Sequence, residues 1–291
     1  MDIDQIRTFL SVAANGSFLE AANRLYVTQS TVSTRIQRLE AYLGVSLFVR
    51  NRAGASLTQP GQRFLRHAKA LLLTLEQARH DIGLPSRFRD SVSIGARIAL
   101  CEGLLPEWIG AIRRQMPDVS IRTDIGFEED LMRSLISGAL DIGMMYTPQH
   151  SAGLLVEHIF DETLLLLSTD PDQPWPNDDY VYVDWAPGFY AQHSNAFPNL
   201  ERSAQVVNIG WMALQLILAQ NSGSCFLPIR LAAPLLQSGR LHPVADSPRF
   251  TLPAYMVSGR DNDSPVLQQV LAQLRGLAAA ERQKDYSALG S

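Results

Sequence analysis

The stretch SFLEAANRLYVTQSTVSTRIQRLE, residues 17–40, leaves its chain few ways to fold. Ser17, with Glu20 three residues on, has the form of a capping box. It predicts a helix from about residue 18 that buries Phe18, Ala21, Ala22 and Leu25. Tyr26-Val27 makes a bend, and Thr28 is a natural N-cap for the next helix. There Val32, Ile36, Leu39 and Leu43 recur at steps of four, three and four, which is one apolar face. The opposite face carries Ser30, Thr34, Gln37 and Arg38, flanked by Thr31, Ser33 and Arg35. Short donors and acceptors beside a long cation suit a helix in the major groove, where base edges present distinct hydrogen-bonding patterns. Gln29 and Ser30 lie in its first turn, whose free N–H groups can hold a phosphate. A polar face alone also describes any solvated helix, so the flanking chain has to decide.

In front, Ile3, Ile6, Phe9, Leu10 and Ala13 predict a helix over 3–14 that ends at Gly16. Behind, Gly44 ends the polar helix, and LFVRNRAGASLT (47–58) predicts a β-hairpin. Leu47, Phe48 and Leu57 anchor it, Ala53-Gly54 forms its turn, and Arg50 and Arg52 project from it. Such a wing can reach the DNA backbone or an adjacent minor groove. The alternative for Arg50 is an internal ion pair with Glu40 or Glu20. Thr58 and Pro60 then open a helix over 59–84. Its apolar positions Phe64, Ala68, Leu71, Leu75, Ala78 and Ile82 step by four and three in turn, a heptad seam that predicts a dimerising connector. Packing of this helix on its own domain is the competing arrangement.

Charge divides the chain at the same place. Residues 1–90 hold eleven Arg and one Lys against four Asp and three Glu, a net of +5, which leaves −9 for the remainder. A basic front and an acidic back predict that only the front meets a polyanion. Arginine, unlike lysine, forks to phosphate and guanine. The 291 residues suffice for two domains. No apolar run approaches the ~18 residues of a membrane span, and MDIDQIRTFL has no signal-peptide core, so the expected compartment is the cytoplasm. Cys101 and Cys225 make no disulfide framework.

Pro85 stops the long helix and SRFRDS reads as a linker. From Val92, predicted strands 92–96, 119–125 and 141–146 alternate with helices 102–115 and 128–138. Strands 154–159 and 163–169 follow. A second alternating set has strands 180–185, 205–209, 223–228 and 253–258, with helices near 187–197, 210–220, from 229, and 264–282. Alternation of this kind predicts two α/β lobes with a parallel sheet and a cleft between them. Residues 175–197 hold seven aromatic side chains that read as core.

Residues 1–58 resemble the winged helix-turn-helix of LysR-type transcriptional regulators. The likeness rests on Phe9-Leu10, Ser17-Phe18, Ala21-Ala22, Leu25, Thr28-Gln29-Ser30, Val32-Ser33, Ile36, Leu39-Glu40, Leu43-Gly44, Leu47-Phe48, Arg50, Leu57-Thr58 and Gly61. The remainder is similar through Ile94-Gly95, Leu104-Leu105-Pro106, Pro117-Asp118-Val119, Gly138, Leu140-Asp141-Ile142 and Leu227-Pro228. DWAPGF (184–189), Gln192-His193 and VSGRD resemble the flagellar-regulator-like HdfR branch.

The resemblance implies an N-terminal winged helix-turn-helix (1–58, the motif about 18–37) and a linker helix (59–88). It also implies a two-lobed α/β effector domain of periplasmic-binding-protein type 2 fold (89–291). Lobe I would take 89–162 and 260–285, and lobe II 163–259. The implied partners are double-stranded promoter DNA, a small-molecule effector, further copies of the chain as dimer or tetramer, and RNA polymerase; no cofactor or metal is implied. Carried over by position, DNA contacts fall on Gln29, Ser30, Thr31, Ser33, Thr34, Gln37, Arg38, Arg50 and Arg52. Effector contacts fall on Arg97, Ile98, Ala99, Leu100, Phe127, Glu128, Tyr146, Thr147, Asn208, Ile209 and Phe226. The family often places hydroxyls in the first cleft loop, where this chain has Arg97, Ile98 and Ala99. Arg97 there is either an anion grip or a surface arginine.

No catalytic motif stands against this reading: G-x-G-x-x-G, the P-loop pattern and H-E-x-x-H are all absent, and the six histidines are scattered. The alternatives are a small-molecule-binding protein without DNA function, and a redox sensor using Cys101, near a helix start that would lower its pKa, with Cys225.

Overall fold

The computed structural model describes residues 1–51, 54–172, 174–200 and 203–284, apart from the side chains of Arg50, Asn51, Gln77, His80 and Asp81. The chain forms two compact units, Met1–Leu84 and Pro85–Ser291.

The first unit opens with α1 (Ile3–Asn15), whose Asp2 and Gln5 form a reciprocal capping box that the sequence reading had missed. Gly16 closes α1 in the left-handed region. In α2 (Phe18–Leu25), Ser17 accepts from Glu20 N–H, and Tyr26 turns the chain with a φ of 54°. In α3 (Gln29–Leu43), Thr28 accepts from Thr31 N–H and Gly44 ends the helix. Ile6, Phe9, Val12, Ala21, Val32, Ile36 and Leu39 form the core, each at most 2% exposed. Phe9 and Phe18 both pack on Phe48 of the wing.

The wing pairs β1 (Phe48–Asn51) with β2 (Gly54–Leu57), antiparallel. Asn51 pairs with Gly54, so Gly54 belongs to the strand and not to the turn. Ala55 N–H donates to Gly16 O, and a Cβ on Gly54 would collide with that carbonyl, so glycine is what lets the wing close on the end of α1. Glu40 accepts from the backbone N–H groups of Leu47 (2.6 Å) and Phe48 (3.2 Å); the alternative ion pair of Arg50 with Glu40 or Glu20 rests on a side chain outside the described residues. A carboxylate thus satisfies the donors at the wing's first strand.

Helix α4 (Gln59–Ile82) starts on the Thr58 cap as predicted, but its seam divides. Ala68 is fully buried and Phe64 meets Phe9 ring edge to face at 5.0 Å, so this first part is taken up by the unit's own core. Arg7 on α1 reaches Glu76 at 3.2 Å. Leu71, Ala78 and Ile82 face solvent, with Ile82 87% exposed and Leu75 half-buried. The reason is helical phase: Phe64, Leu65, Ala68 and Leu72 lie on the face turned to the core, and Leu71, one residue round from Leu72, points away from it.

The second unit is built on one mixed sheet of seven strands, not a parallel one. Its strands are β3 (Asp90–Ala96), β4 (Val119–Ile125), β5 (Ile142–Met145), β6 (Leu154–Ser168), β9 (Ser224–Pro228), β10 (His242–Pro243) and β11 (Phe250–Gly259). Strand β3 pairs in parallel with β4 and β5, whereas β11 runs antiparallel to β5 and β6. The two strands expected at 154–159 and 163–169 are one continuous fifteen-residue strand, β6. It pairs with β11 from Leu154 to Leu164, and its last residues, Leu164 to Ser168, pair with β9. Asp161 and Glu162, between the two expected strands, are carried by the sheet as strand residues opposite Pro253 and Leu252. These two long strands join the lobes.

Lobe I adds α5 (Ile98–Cys101), α6 (Leu104–Gln115), α7 (Glu128–Ile136) and α11 (Pro265–Gln283). The helix predicted at 102–115 is α6, which starts after Gly103 with φ 77°; α5 is a further short turn of helix in the stretch 98–101 that was expected to be loop. Lobe II adds parallel β7 (Val181–Val183) and β8 (Gln205–Val207), with α8 (Pro187–Ala196), α9 (Gly210–Gln220) and α10 (Ile229–Gln237). Its core is aromatic: Trp175, Tyr180, Phe189, His193, Phe197, Phe226 and Phe250 pack in one cluster, mostly edge to face. No helix of the described residues is long and apolar enough to cross a membrane.

Candidate nucleic-acid interface and effector cleft

Helix α3 presents its predicted face. Gln29, Ser30, Thr34, Gln37 and Arg38 are exposed, and Thr31 and Ser33 are half-buried. Thr28, Ser30 and Thr31 share their hydroxyls at 2.8–2.9 Å, so the helix start is an ordered hydroxyl cluster. Thr34 donates to Ser30 O at 2.9 Å, which leaves an acceptor lone pair and a methyl group outward. Gln37 and Arg38 have no such tie among the described residues. Arg35, on the flank, is engaged with Asp4 at 2.6 Å and braces α3 against α1. Arg50 takes its place in β1 opposite Ala55; its side chain, and Arg52, lie outside the described residues.

In the second unit the sequence candidates converge at the strand ends of lobe I. Arg97 caps α5, and its side chain is 6% exposed. Its Nε lies 3.3 Å from Glu128 Oε1, and its guanidinium covers the Phe127 ring at 4.7 Å from the centroid. Arg97 is thus not a surface arginine. Neither Arg97 Nε nor Glu128 Oε1 completes a hydrogen bond, although both atoms are buried. Ile98 and Thr147 are half-buried beside them, and Phe127 is 43% exposed.

Tyr146 is buried at the end of β5 and meets Trp185 of lobe II edge to face at 6.5 Å. Trp185 in turn lies against Gly210, where a Cβ would run into its ring, and donates from Nε1 to Phe226 O at 3.0 Å. Asn208 is exposed and Ile209 half-buried at the start of α9, which has no side-chain cap. Three predicted contacts are displaced. Phe226 turns its ring into the aromatic core and offers only its carbonyl. Leu100 and Ala99 are core residues of the first loop. A one-residue alternation along β9, and the helical turn of α5, send these side chains inward.

Sequence reasoning missed the charges beneath the cleft. Arg230, at the start of α10, binds Glu162 of β6 through Nη2 at 2.6 Å, and donates to Ala99 O at 2.7 Å and to Glu102 O. Tyr146 donates to Glu162 at 3.4 Å. Burial pushes the Glu162 carboxyl up, and the Arg230 charge works against that shift. The pair ties lobe II to the first cleft loop. Its only signal in sequence is an acid pair inside the apolar run IFDETLLLL and an arginine two residues after the strand SCFLP.

Both thiols are free, and burial raises them: Cys101 to about 11, with Glu102 adding to the effect, and Cys225 further still. The expected lowering at Cys101 does not occur, because it ends α5 beside Glu102 and Gly103 intervenes before α6. Among the described residues, no group of His, Cys, Asp and Glu is placed to hold a metal. Two cavities, of about 620 and 560 Å³, open on lobe II around Tyr180, Phe197 and Leu200; neither is lined by a residue predicted for the effector.

A packed helix-turn-helix with a wing, followed by this two-lobed unit, matches two family descriptions end to end. Residues 3–62 match the bacterial regulatory helix-turn-helix proteins of the lysR family, and residues 86–279 match the LysR substrate binding domain. The chain belongs to the LysR family of transcriptional regulators. It is a regulator with a DNA-binding helix-turn-helix and an effector-binding domain, not an enzyme. It is 30% identical over 266 residues to the HTH-type transcriptional regulators HdfR of Salmonella newport (strain SL254) and Salmonella typhimurium, covering 90% of this chain and 94% of each relative. That agrees with the HdfR-like features at 184–193. The fold is shared with CbnR, a LysR family regulator, at 21% identity and a TM-score of 0.74, covering 98% of this chain and all of that one. CbnR in complex with its target DNA gives 0.73 at 21% identity, over 95% and 100% of the two chains. LysG from Corynebacterium glutamicum with bound effector Arg gives 0.52 at 18% identity, over 96% and 99%.

Proposed function

We propose that this regulator reads promoter DNA in the cytoplasm with the exposed face of α3, as a homodimer or a dimer of dimers. Gln29, Ser30, Thr31, Ser33, Thr34, Gln37 and Arg38 face the major groove, and Arg50 and Arg52 of the wing add backbone or minor-groove contacts. The observation that carries this is the contrast across α3. Val32, Ile36 and Leu39 are at most 1% exposed while Gln37 and Arg38 stand free, so a rigid support presents unsatisfied donors and acceptors. The second copy is held by the uncovered part of α4, where Leu71, Ala78 and Ile82 form an apolar strip that this chain's first unit does not cover. A small molecule in the cleft between Arg97, Phe127, Tyr146 and Asn208 shifts the assembly between two arrangements and so changes how RNA polymerase is engaged.

Footprinting on the gene's own upstream region tests the first part. Gln37→Ala relaxes base preference at one position by about 1–3 kcal/mol. Arg52→Ala weakens binding to every sequence and flattens its salt dependence. Unaltered footprints and salt slopes in both variants would sink the groove-and-wing assignment. For the second part, Leu71→Asp lowers the oligomer mass in light scattering; an unchanged mass removes α4 from the interface.

A further inference from the structure

The two charged groups at the mouth of lobe I are paired poorly for groups so well buried. Arg97 is 5% exposed overall, and Glu128's side chain is 20% exposed. Their closest atoms stand 3.3 Å apart, yet neither Arg97 Nε nor Glu128 Oε1 completes a hydrogen bond. The terminal nitrogens of Arg97 have no hydrogen-bond partner among the described residues. Compare Arg230 and Glu162 just beneath, where the arginine forks onto the carboxylate and two backbone carbonyls complete its shell. Buried charges are ordinarily satisfied in that second way, since an unsatisfied one retains much of its desolvation cost.

We propose that the Arg97–Glu128 pair is a receptor for a zwitterion, an α-amino acid with an uncharged side chain. The proposal rests on the reading of the cleft as the effector site. The ligand's carboxylate would take the terminal nitrogens of Arg97, and its ammonium the Glu128 carboxylate. One small molecule thereby supplies both missing sets of hydrogen bonds. Glu128, Glu129 and Asp130 fill the first turn of α7, so that helix start is occupied by acids and favours a cation over a second anion. The ring of Phe127 already lies under the guanidinium at 4.7 Å, which fixes the plane in which a carboxylate can approach. The apolar neighbours of the pair are Ile98, half-buried, and Phe127, 43% exposed, which suit an uncharged side chain. A dicarboxylate or a diamine would leave one member of the pair facing a like charge.

The test is thermal unfolding of the full-length regulator with each of the twenty amino acids. It includes two analogues of any hit, the carboxylic acid lacking the amino group and the amine lacking the carboxylate. We expect at least one amino acid with an uncharged side chain to raise the melting temperature, and both analogues to fail. Arg97→Gln and Glu128→Gln should each weaken that amino acid by about tenfold or more while the variants still unfold cooperatively. If the carboxylic acid alone binds as well as the amino acid, and Glu128→Gln leaves it unchanged while Arg97→Gln abolishes it, the zwitterion is overturned and the cleft reading stands. If a ligand binds and both variants and Asn208→Ala leave it unaffected, the cleft reading falls as well. No shift from any of the twenty also overturns the proposal.

Discussion

On α3 the outward polar groups come from one continuous fifteen-residue helix, whereas the cleft and the charges beneath it gather theirs from separate strands and helices. The helix face stays hydrated, and its groups cost nothing to leave unpaired. In the cleft, Arg97, Glu128, Glu162 and Arg230 have all lost most of their water, so each must be paired within the chain or by a ligand. The first region is therefore rigid support with an interchangeable surface. The second is a network in which removing one member strands the others.

The largest effect should fall on that network. Arg230→Met strands the Glu162 carboxylate and frees Ala99 O and Glu102 O, and should destabilise the second unit by about 3–5 kcal/mol in denaturant unfolding. Adding Glu162→Gln should recover a good part of the loss; additive effects would instead mean that the two residues act separately. On the helix the matching change is smaller. Thr28→Ala removes the cap of α3 and should cost the first unit about 1 kcal/mol, without altering which bases are preferred. A loss as large as that at Arg230 would erase the distinction between the two regions.

The smallest effect is a pH slope in lobe II. Burial lowers the His193 pKa from 6.5, and its Nε2 is 2.9 Å from the Tyr180 hydroxyl. The unfolded chain takes up this proton first as pH falls. The contribution of neutral His193 is complete above 6.5 and is lost as pH drops through the lowered folded value. Melting temperatures measured either side of 6.5 should fall less steeply in His193→Gln than in the parent chain. Equal slopes would mean that the imidazole keeps enough water to titrate normally.

Much of the first unit could be read directly, because its signals are local. Thr28, Gly44 and Thr58 act where they stand, and the spacing of Val32, Ile36 and Leu39 alone fixes which side of α3 is free. What could not be read there was how much of α4 the domain would cover. The heptad pattern runs unbroken from Phe64 to Ile82, and only the packing against α1 shows that Phe64 and Ala68 enter the core while Leu71, Ala78 and Ile82 stay exposed. In the second unit, the order of strands and helices was readable, but β6 was mistaken for two strands. An acid pair inside an apolar run looks like a turn until Arg230, 68 residues away, is brought to Glu162.

The sequence by itself determined the winged helix-turn-helix, the polar face of α3 and the alternating strands and helices of two lobes, since periodicity and capping depend on near neighbours. Only the tertiary structure decided that Phe226 turns away from the cleft, that Glu40 serves the wing's backbone, and that Arg97 meets Glu128. Those outcomes depend on which strand ends come together and how much water they exclude, and spacing along the chain carries no record of either.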